Sequence, residues 1–159
     1  MVFAHDDPAI HEALAHCRAR GVLVITLVTD LPDAPRLCHV GINQLQAGRT
    51  AGLMMGKMRA TPGEVIMVSG RMDYRAHRQR IEGFRQVMQQ RFPHLQLREV
   101  LAGQDERAII SDLLEHHLAG ADNVVGLYNT GMGNTEVSRA LARHRLTGHC
   151  LYITTSCTA

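Results

Sequence analysis

Hydrophobic and polar positions follow two rhythms along the chain. Val22-Leu23-Val24-Ile25-Thr26-Leu27-Val28 is an almost unbroken apolar, β-branched run, the pattern of a strand covered on both faces. Glu64 to Ser69 and Asn123 to Tyr128 read the same way, and shorter strands are predicted at 38–42, 95–101 and 149–154. Between them the apolar positions recur every three or four residues. Pro8 to Arg20 carries Ile10, Ala13, Leu14 and Cys17, with Asp7 placed as N-cap, Pro8 at the first helical position and Gly21 as the stop. Further helices are predicted from Gln44 to Met58, Asp73 to Arg91, Asp105 to Leu118 and Gly131 to Arg143. In the first of these, Met54, Met55 and Met58 read as core by their spacing, with an adaptable contact surface as the alternative.

Strands that alternate with helices over short connections predict βαβ units and a parallel sheet covered by helices on both faces. Right-handed crossovers then select a doubly wound topology. Ligands of such sheets bind beyond the carboxyl ends of the strands, which directs attention to Thr29-Asp30, Gly70 to Arg80, Gly103 to Asp105 and Asn129 to Asn134.

Composition changes this picture little. The chain has 159 residues, 45% hydrophobic and 20% charged, with a formal net charge of +2. That excludes a disordered chain, and so small a net charge does not mark a nucleic-acid-binding face. No apolar run approaches the length needed to cross a membrane. Cysteines at 17, 38, 150 and 157 show no CxxC spacing, so free thiols in a reducing compartment are expected. The opening residues carry no basic-then-apolar leader. The apolar opening Val2-Phe3-Ala4 and the close on Ile153 to Ala159 read as the ends of a fragment, whose sheet edges would be exposed and its fold marginal or associated.

Chemical motifs are sparse. Gly131-Met132-Gly133 follows a strand and opens a helix, but Glu136 stands where a dinucleotide fingerprint needs its third glycine. A polar, glycine-rich turn is the better description. His11 and His16 are five residues apart and diverge around a helix, so they do not share a metal, and the adjacent His116-His117 fails alike. No catalytic or metal-binding spacing appears, so neither an enzyme nor a cofactor nor a metal is expected. Arg71, Arg75, Arg78, Arg80 and Arg85 crowd one turn and the helix after it. Cations at a helix start oppose the macrodipole, which points to another duty for at least one, such as gripping hydroxyls with its planar fork.

Several stretches together resemble the lactose/galactose-repressor-type regulators and the periplasmic sugar-binding proteins. They are Gly21 to Asp30, Val40-Gly41-Ile42-Asn43, Ala47-Gly48-Arg49-Thr50-Ala51-Gly52, Arg78 to Phe84, and Gly126 to Asn134 followed by Ala140-Leu141. The resemblance implies an α/β, periplasmic-binding-protein-like type I fold with two doubly wound parallel-sheet lobes, both incomplete. Residues 1–42 would be the second half of the N-terminal lobe and 43–159 most of the C-terminal lobe, with a crossover near Ile42-Asn43. It implies a small-molecule, sugar-sensing domain of a cytoplasmic DNA-binding regulator, with a periplasmic sugar-binding protein of an ABC transporter as the alternative. Implied partners are a sugar or polyol, operator DNA through a head absent from this chain, and a second copy in a homodimer. The implied ligand residues are Arg80, Asn129 and Thr130, with Thr29 and Asp30 at the end of the first-lobe strand and Asp105 nearby. Gly131 replaces the family's usual aspartate. Tyr74, in the long polar turn, is placed to stack on a sugar ring.

Overall fold

The computed structural model describes residues 5–155. The stub 2–4 and Cys157 lie outside them. Eleven elements alternate: α1 (Pro8–Ala19), β1 (Ile25–Leu27), β2 (Cys38–Val40), α2 (Gln44–Met58), β3 (Gly63–Ser69), α3 (Arg75–Arg91), β4 (Leu95–Ala102), α4 (Arg107–Leu118), β5 (Val124–Asn129), α5 (Asn134–Arg143) and β6 (Leu151–Thr154). The strands form two sheets, β1-β2 and β4-β3-β5-β6, and every pairing is parallel.

The larger sheet is a filled sandwich. Along β3 the side chains alternate, as a pleated strand requires. Val65 and Met67 meet Met55 of α2 and Ile81, Phe84 and Met88 of α3. Ile66 and Val68 meet Ile110 and Leu114 of α4 and Val137 and Leu141 of α5. Phe84 stacks on Tyr128 of β5 at 4.4 Å between ring centroids. Burial also lifts the Tyr128 hydroxyl above its ordinary pKa, with the Thr155 hydroxyl opposing.

α2 and α3 pack backbone to backbone. A Cβ on Gly48 would overlap the Arg80 carbonyl, and one on Gly83 would overlap the Leu45 carbonyl. Only a hydrogen fits at either position, so the seam depends on those two glycines. The methionine spacing of α2 resolves accordingly. Met55 is fully buried, whereas Met54 and Met58 are exposed.

The smaller sheet departs from expectation. Within 22–28 only Ile25–Leu27 is strand, and Val22, Leu23 and Val28 are exposed. Among the described residues β1 pairs with β2 alone, and the buried core beside this run comes from α1 and the following loop, so the run lacks the covering on both faces that its composition suggested. Its own core is small: Leu14, Val24, Leu31 and Ala34. β2 stops at Val40 rather than 42, because Asn43 caps α2 by accepting from Gln46 N at 3.0 Å. Three helices start later than their sequence pattern: α3 at Arg75, α4 at Arg107 and α5 at Asn134. Before α3, Asp73 pairs with Arg71 instead of capping the helix.

Candidate functional site

The carboxyl ends of β1, β3 and β5 meet the starts of α2 and α3. Val28, just past β1, has φ of +64°, a left-handed conformation costly for a β-branched residue. Its carbonyl accepts from Gln44 Nε2 at 2.8 Å. Gln44 Oε1 in turn accepts from Arg80 Nε at 2.7 Å, and Arg80 Nη1 donates to the Thr130 carbonyl at 3.1 Å. Arg80 is 9% exposed and Gln44 is buried, so this relay from one sheet to the other is shielded from water. The Thr130 hydroxyl donates to Ser69 Oγ at 3.1 Å. Thr29 has a further task. Tyr74, the N-cap of α3, makes no side-chain cap bond, and Ala76 N instead donates to Thr29 Oγ1 at 3.4 Å. A first-sheet hydroxyl thus serves an orphan amide at the helix start.

Asn129 holds the turn after β5. Its Oδ1 accepts from Gly131 N at 3.0 Å, and its Nδ2 donates to Met132 O and Asn134 Oδ1 at 3.1 and 3.0 Å. A Cβ on Gly131 would overlap Gly70 N, which explains why no aspartate stands there. Gly133, the N-cap of α5, takes φ of +93°. The two glycines therefore serve a close approach and a left-handed turn.

The other predicted residues lie around this cluster. Asp30 turns toward its own loop, accepting from Thr26 Oγ1, Leu31 N and Arg36 Nη2 at 3.0, 2.9 and 2.8 Å. Tyr74 is half-buried and meets His5 and His77 edge-on at 5.8 and 5.9 Å. Asp105, with φ of +60°, accepts from Arg71 N at 3.4 Å. Thr29, Arg80, Asn129 and Thr130 thus converge, Tyr74 and Asp105 flank them, and Asp30 stands at the rim.

Two cavities open beside the cluster. One, of about 420 Å³, lies between Asp6, His11 and Asp33 on one side and Arg75, Arg78 and Gln79 on the other. The second, of about 340 Å³, is lined by His39, Asn43 and Gln44. Both share Asp30, Arg75 and Gln79. The sequence reading missed Gln44, Ser69 and Gln79 as site residues. Arg75 and Gln79 are one helical turn apart, a spacing that puts them on one face of α3. Nothing in the sequence pairs Gln44 with Arg80, or Ser69 with Thr130.

The chemistry on offer is hydrogen bonding by hydroxyls, amides and a guanidinium. His77 is held below its ordinary pKa chiefly by burial, with Asp105 opposing and Arg80 assisting. Among the described residues no cluster of His, Cys, Asp or Glu is placed to hold a metal ion.

Parallel sheets, the larger covered by helices on both faces, with polar groups gathered at the strand ends, define a periplasmic-binding-protein-like type I fold. The chain belongs to the periplasmic binding protein domain family, whose sequence profile matches residues 1–159. Solved structures share the fold. XylFII superposes with a TM-score of 0.85 at 22% identity, covering 96% of this chain and 56% of that one. An ABC transporter solute-binding protein from Burkholderia graminis, in complex with D-arabinose, gives 0.86 at 23% identity, with 92% and 52% covered. Another from Agrobacterium vitis, with bound D-fucose, gives 0.85 at 18% identity, with 92% and 51% covered. The chain therefore spans about half the length of each of these proteins. No curated protein sequence matches it.

Proposed function

We propose that the chain is part of a two-lobed solute-binding domain whose ligand is a neutral sugar or related polyol. Residues 1–42 are read as the second half of the N-terminal lobe and 43–159 as most of the C-terminal lobe. The observation that carries the reading is the convergence of Thr29, Arg80, Asn129 and Thr130 at the carboxyl ends of strands from both sheets. A hydroxyl-rich ligand needs donors and acceptors at fixed positions, and these residues supply both. Tyr74 and Asp105 flank the same place, and Asp30 edges the cavities beside it. The solute-binding proteins solved with D-arabinose and D-fucose have this fold and support the reading.

A carrier for a transport system, working outside the cytoplasm, is the first biological role, because the transporter proteins share the fold. A second reading is the sensing domain of a homodimeric DNA-binding regulator. Cys17, Cys38 and Cys150, all free thiols, favour it, since such thiols suit a reducing compartment. Fractionation of the source cells distinguishes the two: a carrier partitions outside the inner membrane, a regulator stays within.

Calorimetric titration of the full-length protein with D-arabinose, L-rhamnose and D-fucose tests the sugar reading. Arg80→Ala, with its melting temperature followed in parallel, should weaken binding by about 1.5–3 kcal/mol, more than tenfold. Absence of heat with every sugar of a broad panel overturns the proposal.

A further inference from the structure

α3 carries a polar stripe. Arg75, Arg78, Gln79 and Glu82 follow the i, i+3, i+4, i+7 spacing that puts side chains on one helical face, and all four line the cavity of about 420 Å³. Arg75 and Gln79 also line the cavity of about 340 Å³, so with Asp30 they form the wall common to both.

The polar side chains around these cavities differ in what they have left to offer. Arg78 donates to Asp6 Oδ2 and to the Met72 carbonyl at 3.1 and 2.8 Å. Glu82 accepts from Gln86 Nε2 at 2.7 Å, and Asp30 is held by Thr26, Leu31 N and Arg36. His11 pairs with Asp6 and His39 with Thr26. Asn43 caps α2, and Gln44 is engaged by Val28 and Arg80. Arg75 and Gln79 are different. Both are half-buried, and neither side chain makes a hydrogen bond or ion pair with any described residue. Asp33, the other lining residue with a charge and no such partner, is exposed in a turn. Arg75 is also unfavourable where it stands. It is the first residue of α3, where no side chain caps the helix from Tyr74, and a cation there opposes the helix dipole. Of the four arginines between residues 71 and 80, Arg71 pairs with Asp73, Arg78 with Asp6, and Arg80 sits in the relay, which leaves Arg75 without a task inside the protein.

We infer that Arg75 and Gln79 are ligand contacts of the proposed site and set its preference among sugars. The inference rests on the sugar-binding reading and adds two residues to it. An arginine fork donates to two neighbouring hydroxyl oxygens, and an amide one turn along both donates and accepts. Together they read the placement of hydroxyls along one edge of a sugar. Arg80 then has a different part. With its guanidinium turned to Gln44 and Thr130, it fixes α3 against the strand ends and so fixes the reading edge.

Residues that hold the fold and residues that hold a ligand respond differently to substitution. Arg75→Ala removes an unpaired cation from a helix start, so the melting temperature of the ligand-free, full-length protein should be unchanged or raised. It should weaken binding of whichever of D-arabinose, L-rhamnose or D-fucose the wild type takes by more than tenfold. Gln79→Leu should keep the fold and weaken the same sugar by about fivefold or more. Monodeoxy forms of that sugar show whether the contact is direct. At least one should bind the wild type weakly and lose nothing further in Arg75→Ala, because the hydroxyl and its partner are then both gone. If every deoxy form loses the same factor as the parent sugar, Arg75 does not touch the ligand and the inference is wrong. Unchanged affinity in either variant, or a melting temperature several degrees lower, would also remove the pair from the site while leaving the sugar reading intact. A wild-type protein that binds no sugar would overturn both.

Discussion

The two sheets of this molecule start from similar-looking apolar runs and end in different states. Val65 to Val68 of β3 are buried between two helix pairs, each alternate side chain entering a separate core. Val22 to Val28 carries a comparable run, yet Leu23 is 74% exposed while Val24 beside it is 7% exposed. β3 has a neighbour on each side and helices above and below, whereas among the described residues β1 pairs with β2 alone, beside a small core to which α1 contributes. Composition therefore reports what a strand tolerates, and the number of layers around it decides what is buried.

Substitutions offer direct ways to break the contrast. Phe84→Ala removes a ring stacked on Tyr128 and should cost about 3–5 kcal/mol in denaturant unfolding. Leu23→Ala should change stability by less than about 0.5 kcal/mol, and a larger loss would mean that this exposed run is covered in solution. The cysteines sharpen the same comparison. Cys38 on β2 is exposed, whereas Cys150 is buried and its thiol is pushed up to about 11. At pH 8 only about one Cys150 thiol in a thousand is thiolate, so alkylation followed by mass spectrometry should modify Cys38 first and spare Cys150. Equal rates would show that the larger unit opens readily.

The relay between the sheets gives the next smaller effect. Arg80→Met leaves the Gln44 amide oxygen and the Thr130 carbonyl without this donor. It should cost about 1–3 kcal/mol of stability, measured by urea unfolding. No change would mean that the two sheets do not depend on each other. Val28→Gly acts in the opposite direction. It relieves the left-handed backbone at little loss of burial and should stabilise by about 1 kcal/mol by the same measurement. A loss would show that the Val28 side chain matters more than its backbone.

The smallest effect is a pH dependence. The unfolded His77 has an ordinary value of 6.5, and the folded ring is held lower. As pH falls below that value the unfolded chain takes up the proton first. The contribution of His77 to stability is therefore present above pH 6.5 and lost as pH falls toward the folded value. Urea midpoints between pH 5 and 8 should show this slope in the wild type and a shallower one in His77→Leu. Identical slopes would mean that the ring titrates as it does in water.

The larger unit was the more legible in sequence. The runs in β3 and β5, and the helix patterns between them, carry their own evidence, because each element is covered on both sides by its sequence neighbours. The strand-end rule also located Thr29, Arg80, Asn129 and Thr130. What it did not reveal was their commitments to one another. Arg80 and Gln44 are 36 positions apart and Ser69 and Thr130 are 61 apart, so no local pattern links them. Asp30 looked like a ligand residue at a strand end, but Arg36, six residues on, holds its carboxylate.

The glycine seam between α2 and α3 has a dynamic consequence. With Gly48 set against the backbone of Arg80, neither helix can slide or roll without pushing the other. Amide protons on facing turns of the two helices should then exchange with deuterium in one correlated opening, at a common rate. Any displacement of Arg80 is passed to α2 without slack, and with it to Gln44 and the end of β1.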